Sequence, residues 1–405
     1  MARDLMPVAE ALEHVLAGVA PLPAESVALD DAHGRVLAED LAAKRTQPPA
    51  ALSAMDGYAV RGADVAKTPV TLKVTGEAAA GRPFDRDVRA GEAARIFTGG
   101  VMPQGADTVV IQENTSTSAD TVTVNAVTAA GRHVRREGID FRQGDTLLAK
   151  GRRLTDRDLM LAAAMNYPRL PVHRAPRVAI LGTGDELVMP GTNPGPGEII
   201  YSNGFALAAL VRSEGGEVSE QAVARDDIAD ISAAIRRVRD ASADVILTVG
   251  GASVGEHDLV QQALIAEGMK LSFWRVALRP GRPMMHGRLG AVHVLGVPGN
   301  PVSSYVCTFL FAIPLIRALT GRGDVHHVPH PAVLGVDLGA NDERADYLRA
   351  TLTDAPDGLP IVTPLPSQDS SLMAPLAKAD CLLIRPSNAP FAKAGSPAII
   401  LKLGL

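Results

Sequence analysis

"RVAILGTGDEL", residues 177–187, sets the apolar run Val178 to Leu181 directly against a glycine loop. An apolar run this short, closed by glycine, reads as a strand buried on both faces. The pattern returns in "ADVILTVGGASVGEHD" (243–258) and in "AVHVLGVPGNPVSS" (291–304). Between these runs lie "FALAALVRSEGG" (205–216) and "DISAAIRRVRDAS" (230–242), which have helical spacing. Strand, glycine loop and helix in repetition predict a parallel doubly wound sheet, placed over residues 177–327.

Outward from that block the text changes. Residues 46–146 are rich in Gly and Pro with alternating runs such as "TVTVNAV", which predicts a mostly β inserted domain. It is flanked by a helical and linker part, residues 1–45 with 147–176. There Val8, Leu12, Val15, Leu16 and Val19 suit one helix face, and Thr155 with Asp158 resembles a capping box. The two flanking helices are expected to pack together as one discontinuous layer. After the junction "GRGDVHHVPHP" (321–331), residues 328–405 return to short strands and turns, a small C-terminal β domain. The fold class expected is therefore α/β multidomain.

Bulk numbers narrow the function. A chain of 405 residues exceeds the size of one growing core. Net charge of −5 and 3% aromatic residues offer no general attraction or stacking platform for nucleic acid. The N-terminus carries Glu10 and Glu13 where a secretory signal would be apolar, and the apolar run Tyr305 to Ile316 is too short to span a bilayer. Cys307 and Cys381 have no C-x-x-C spacing, which suits a reducing compartment. A cytoplasmic protein acting on small molecules, with no nucleic acid or membrane partner, is expected.

Loops that follow parallel strands gather at the carboxyl edge of the sheet, where open α/β domains bind ligands. Three do so here: "GTGDEL", "GGASVGEHD" and "GVPGNPVSS". Each alone is ordinary turn chemistry, but their convergence marks a site. Glycine amides approach a phosphate closely, and Asn300 as N-cap with Pro301 behind it would start a helix whose positive end favours an anion. None of the loops is a Walker A, and "GTGDEL" lacks the third glycine of a dinucleotide fingerprint. Acids crowd the same loops: Asp185, Glu186, Glu256 and Asp258, with Asp226 and Asp227 in "ARDD". Carboxylates beside a phosphate site make sense when a hard divalent cation, Mg²⁺, bridges them. In "FWRVALRPGRP", Arg279 and Arg282 flank a Pro-Gly bend and could grip an oxyanion. Arg132, Arg135, Arg136 and Arg142 surround Asp140 in a second basic stretch that either steers an anion or is a solvated face. His326, His327 and His330 lie in a linker and receive no ligand role.

The segments "SAMDGYAVR", "RIFTGGVMPQGAD", "RREGID", "GTGDEL", "ARDD", "GGASVGEHD", "FWRVALRPGRP" and "GVPGNPVS" occur in that order over nearly the whole chain. In this the sequence resembles the molybdopterin molybdenumtransferase family, MoeA-type proteins and the gephyrin E domain. The resemblance implies a four-part fold with a molybdopterin-binding α/β domain, and a homodimer with the active site at the subunit interface. It also implies the reaction, in which adenylylated molybdopterin and molybdate give molybdenum cofactor and AMP with Mg²⁺. Carried over residue by residue, it points to Asp56, Thr98, Asp140 and Glu186 as catalytic, and to Asp226 and Asp258 for the metal. Gly250, Gly251, Ser253, Pro298, Gly299 and Asn300 would bind nucleotide or pterin. Arg279, Arg282, Arg344, Arg349 and Ser370 or Ser371 would bind molybdate or phosphate. Two departures stand out: Arg279 and Arg282 replace the lysines of a K-P-G-K-P turn, and Ile139 replaces an acid before Asp140. A molybdopterin adenylyltransferase is the alternative enzyme, disfavoured because "GGASVGEHD" lacks a G-G-T-G opening and because of the flanking β modules. A noncatalytic scaffold is the alternative of another class.

Overall fold

The computed structural model describes residues 5–250, 259–355 and 358–404. Its central sheet begins with four parallel strands in the order Glu217–Ala224, Arg177–Thr183, Val245–Val249 and Val292–Val297. Met285–Leu289 and Lys270–Trp274 then extend it antiparallel. The expected all-parallel sheet is thus mixed. Only a tight turn through Gly290 separates Met285–Leu289 from Val292–Val297, and so short a connection can return the chain only antiparallel.

The alternation of strand side chains divides the apolar run between two cores. Val178, Ile180, Val245, Leu247 and Leu295 face one, with helix Asn203–Ser213 and the long helix Pro301–Leu319. Ala179, Leu181, Ile246 and Val294 face the other, beneath helices Ile228–Asp240 and Leu259–Ala266. Each fully buried Leu or Ile stabilises by about 1.5–3 kcal/mol. Pro301–Leu319 is apolar for 19 residues but 83% buried, which makes it a core helix. It widens to a π turn at Thr308–Ala312, just before Pro314. Proline has no N–H and its ring crowds the carbonyl of the preceding turn, and widening the helix there relieves both.

The two flanking helices do not pack together. Val8–Leu16 buries Ala11 and Val15 in the first core of the central sheet. Asp156–Ala164 instead packs Ala162 with Leu37, Leu41, Leu154 and Leu170. An amphipathic face specifies burial, not the partner. What joins the sequence-distant pieces is strand pairing, Ala24–Ala28 with Arg169–His173 and Leu41–Ala42 with Thr146–Leu148. The capping box is present: Thr155 Oγ1 accepts from the Asp158 amide, and the Asp158 carboxylate accepts from the Thr155 amide at 2.9 Å.

Between Ala42 and Thr146 the chain builds a six-stranded sheet in the order Thr108–Ile111, Gly57–Val60, Glu92–Ile96, Val70–Ala78, Thr121–Val124 and Thr115–Ser118. Near the end of the chain, Ala345–Thr353, Ile361–Pro364, His330–Leu334, Pro397–Lys402 and Cys381–Arg385 pair in turn, and Cys381–Arg385 pairs back onto Ala345–Thr353, closing the sheet on itself. Leu278–Arg279, from the "LRPGRP" turn of the central unit, joins this closed sheet beside Ala345–Asp346.

Two buried histidines and a half-buried one give the fold a pH dependence. His286 and His293 stack at 5.9 Å in the antiparallel part of the central sheet, and His327 stacks on Phe309 while its Nε2 lies 2.7 Å from the Phe309 carbonyl. Burial first, then the charge of Arg288, lowers His286 from 6.5 to about 4 and His293 to about 3. Burial lowers His327 to about 4. The unfolded chain therefore takes up protons below pH 6.5 that the folded chain refuses. Their contribution is fully present above that pH and is lost as pH falls towards 4. The expected result is a melting temperature that declines steadily between pH 6.5 and 4 in scanning calorimetry, and a shallower decline in His286→Phe. An identical slope in the variant would contradict it.

Candidate functional site

The carboxyl ends of the parallel strands open into a cleft of about 1070 Å³. Glu186, Asp226, Gly250, Pro298, Gly299, Asn300 and Ser371 line it, so residues from five separate segments meet there. Gly251, Ser253 and Asp258, with Glu256, lie outside the described residues.

Asn300 departs from its expected role. It occupies the N-cap position before Pro301, yet its side chain makes no capping bond. Its Nδ2 donates to Ser370 Oγ at 3.0 Å, while the Ser370 carbonyl accepts from the Val302 amide at 3.0 Å. The serine turn of the tail thus takes the cap's place and fastens the closed sheet to the cleft. Asn203, not anticipated from the sequence, ties the opposite side: its Nδ2 donates to the Gly299 carbonyl at 2.7 Å. Asn203 stands just before the apolar helical run, with no local signal for this contact.

Acids cluster at the cleft as well. Burial raises the Asp226 carboxyl above its ordinary value, and the nearby charges of Glu186 and Asp185 push the same way. The Asp226 amide donates to Asp185 Oδ1 at 3.3 Å. Among the described residues no three His, Cys, Asp or Glu side chains are gathered closely enough to cage a metal. This donor set fits Mg²⁺, which keeps several waters and binds through one or two carboxylates plus substrate phosphates.

The arginines separate into three environments. Arg279 pairs with Asp342 and lies 3.5 Å from Asp346. Arg344 grips the same Asp342, through Nη2 at 2.8 Å and Nε at 3.3 Å. Hydrogen bonds from Arg344, aided by the charge of Arg279, hold Asp342 far below the usual carboxylate range. An incoming anion would compete with that acid. Arg282 is exposed and has no side-chain partner among the described residues, beside Pro283 on the cleft wall. Arg349 is 1% exposed. Its guanidinium donates to the carbonyls of Ser367, Asp369 and Leu372 and to Gln368 Oε1, at 3.0–3.3 Å. This corrects the expectation that Arg349 meets an anion: the buried fork holds the serine turn from behind. Ser371 adds to that turn through its amide and Oγ, both 2.8 Å from Asp369 Oδ1.

A second group of residues lies on the inserted six-stranded sheet. The Thr98 amide and hydroxyl both donate to Asp56 Oδ1, at 2.7 and 2.8 Å. These bonds, with a smaller contribution from Arg95, lower the Asp56 carboxyl and keep it ionised. Oδ2 takes no bond among the described residues. The Asp-Gly pair is not a hairpin turn. Gly57 opens a strand, where a Cβ would overlap the Val110 carbonyl. Asp140 is exposed on a neighbouring loop of the same module, its amide bonded to the Gln47 carbonyl at 3.2 Å. Within one chain, then, Asp56 and Thr98 form one bonded pair, Asp140 lies on another loop of the same module, and Glu186 and Asp226 line the cleft.

Three family profiles match successive parts of the chain. The profile of the "MoeA N-terminal region (domain I and II)" matches residues 6–166. A "Probable molybdopterin binding domain" matches 179–318, and the "MoeA C-terminal region (domain IV)" matches 331–403. A molybdopterin molybdenumtransferase of Haemophilus influenzae is 33% identical over 366 residues, 90% of each chain. One from Nostoc is 36% identical over 388 residues, 94% of this chain and 88% of that one. Two solved structures of the molybdopterin biosynthesis MoeA protein of Pyrococcus horikoshii superpose with TM-scores of 0.84 and 0.83, at 30% and 26% identity, covering 99% of this chain and 100% of theirs.

Proposed function

The chain belongs to the MoeA-type molybdopterin molybdenumtransferases, transferases of molybdenum cofactor biosynthesis, and from that premise we propose that it takes adenylylated molybdopterin and molybdate, inserts the molybdenum and releases AMP in a Mg²⁺-dependent step. The observation that carries this reading is the cleft itself, where Glu186 and Asp226 meet Gly250 and Gly299 from separate segments, with Arg282 next to the lining residue Pro283 and without a side-chain partner among the described residues.

On this reading the four-part division of the sequence holds: residues 1–45 with 147–176, 46–146, 177–327 and 328–405. The Gly250 and Gly299 loops accept the nucleotide half of the substrate, with backbone close enough for phosphate oxygens. Asp226 and Asp258 would hold Mg²⁺, which would supply the positive charge that the pyrophosphate needs, and Glu186 would act beside them as a catalytic group. Arg282 draws molybdate to the cleft wall, and Arg279 and Arg344 exchange Asp342 for the oxyanion as it arrives. Ser370 and Ser371 line its path. Two anionic reactants must be held together, so positioning and charge compensation dominate over proton transfer. Asp56, Thr98 and Asp140 complete the site from the partner subunit of a homodimer, with the free Oδ2 of Asp56 turned to the pterin or an attacking water. The two unpaired cysteines, both buried, suit a cytoplasmic setting.

The test incubates purified protein with adenylylated molybdopterin, Mg²⁺ and molybdate, and measures AMP and active cofactor. Both products are expected, and the yield of each falls when chelator removes the metal. Neither product appearing would overturn the reading.

A further inference from the structure

Two residues that line the cleft carry buried hydroxyls with no hydrogen-bond partner among the described residues. Tyr201 is 2% exposed and Thr183 is 7% exposed; both residues line the cleft, and neither Tyr201 Oη nor Thr183 Oγ1 has a partner among the described residues. A buried hydroxyl without a partner costs about 1–3 kcal/mol, and one facing a cleft is a place where a ligand could recover that cost. The fold goes to some length to place the phenol there. Its ring fits because residues 182 and 204 are glycine: a Cβ at Gly182 would come within 2.7 Å of the ring, and one at Gly204 would overlap the phenol oxygen. Two residues further on, Asn203 holds the Gly299 carbonyl, which couples this segment to the "GVPGNP" loop.

The surroundings say what these hydroxyls would meet. Leu187, Val249 and Pro298 give the cleft apolar walls, and Glu186 and Asp226 bring negative charge. A phosphate beside two neutral hydroxyls and those acids would lack compensation, so the charged end of a ligand belongs with the loop amides and Arg282. A hydroxyl both donates and accepts, which matches the alternating ring nitrogens and exocyclic amine of a heteroaromatic base. Resting on the reading that an adenylylated substrate occupies this cleft, we propose that Tyr201 and Thr183 bind the edge of its nucleotide base and set specificity for it. Burial pushes the Tyr201 phenol up to about 12, so it stays protonated and able to donate.

The experiment titrates AMP and ribose 5-phosphate, each with Mg²⁺, into the full-length protein and its Tyr201→Phe and Thr183→Val variants by calorimetry. Thermal melting of each protein is recorded alongside. One hydrogen bond of ordinary strength corresponds to about a three- to tenfold loss of AMP affinity in each variant. Ribose 5-phosphate, which has no base, should bind unchanged, and neither variant should melt lower, since each loses a buried group that nothing satisfied. AMP binding equally well to wild type and both variants overturns the inference alone. Equal weakening of AMP and ribose 5-phosphate also overturns it, since the hydroxyls would then be reading sugar or phosphate. Wild-type protein that binds no AMP overturns both this inference and the nucleotide reading beneath it.

Discussion

Asp56→Asn should leave the protein folded and lower turnover by at least about a hundredfold, the scale of removing one preorganised electrostatic group from an active site. The argument rests on which oxygen does what. Both bonds from Thr98 end on Oδ1. An asparagine carbonyl can accept the same two donors, so the local structure has no reason to change. Only the negative charge and the free acceptor at Oδ2 are lost. Circular dichroism and melting temperature should match wild type while AMP release nearly stops. If turnover survives, Asp56 serves only the local geometry of its turn. Thr98→Val gives the converse. It removes one of the two anchors, keeps the charge, and should reduce turnover far less.

Arg349→Met should be the most destabilising change at the cleft, by about 3 kcal/mol, because removing a buried charged donor strands the acceptors it served. Four acceptors, from Ser367, Gln368, Asp369 and Leu372, lose that donor together. The damage should spread along a definite path. Once the serine turn loosens, Ser370 no longer receives Asn300 or caps Val302. Chemical denaturation should show the loss, and limited proteolysis should cut between residues 367 and 372 in the variant before wild type. Arg349→Lys keeps the charge without the fork and should recover only part of the stability. A variant as stable and as protease-resistant as wild type would refute the anchoring role.

The sequence disclosed some of this and concealed the rest for physical reasons. Short apolar strands ending in glycine loops are a strong local signal, so the parallel strands and the convergence of Glu186, Asp226, Gly250 and Gly299 could be read directly. The antiparallel edge is not legible because Met285–Leu289, Met-His-Gly-Arg-Leu, has neither a continuous apolar run nor a clean alternation, and only its tight turn at Gly290 reveals direction. The helix Val8–Leu16 declared its buried face but not its partner. Arg349 could not be separated from Arg344 in "ERADYLR", since what distinguishes them is a set of carbonyls some twenty residues away, supplied by the fold. Tyr201 left no signal at all: its site exists because two glycines, far apart in sequence from one another's strands and helices, make room for it.

The pairing of Leu41–Ala42 with Thr146–Leu148 has a consequence for how the molecule is assembled. The polypeptide leaves for the inserted sheet and comes home along a single ribbon, so about a quarter of its length hangs from one stem. Asp56 and Thr98 are therefore carried together on a lobe joined to the rest of the chain by that ribbon, apart from the strands whose ends carry Glu186 and Asp226.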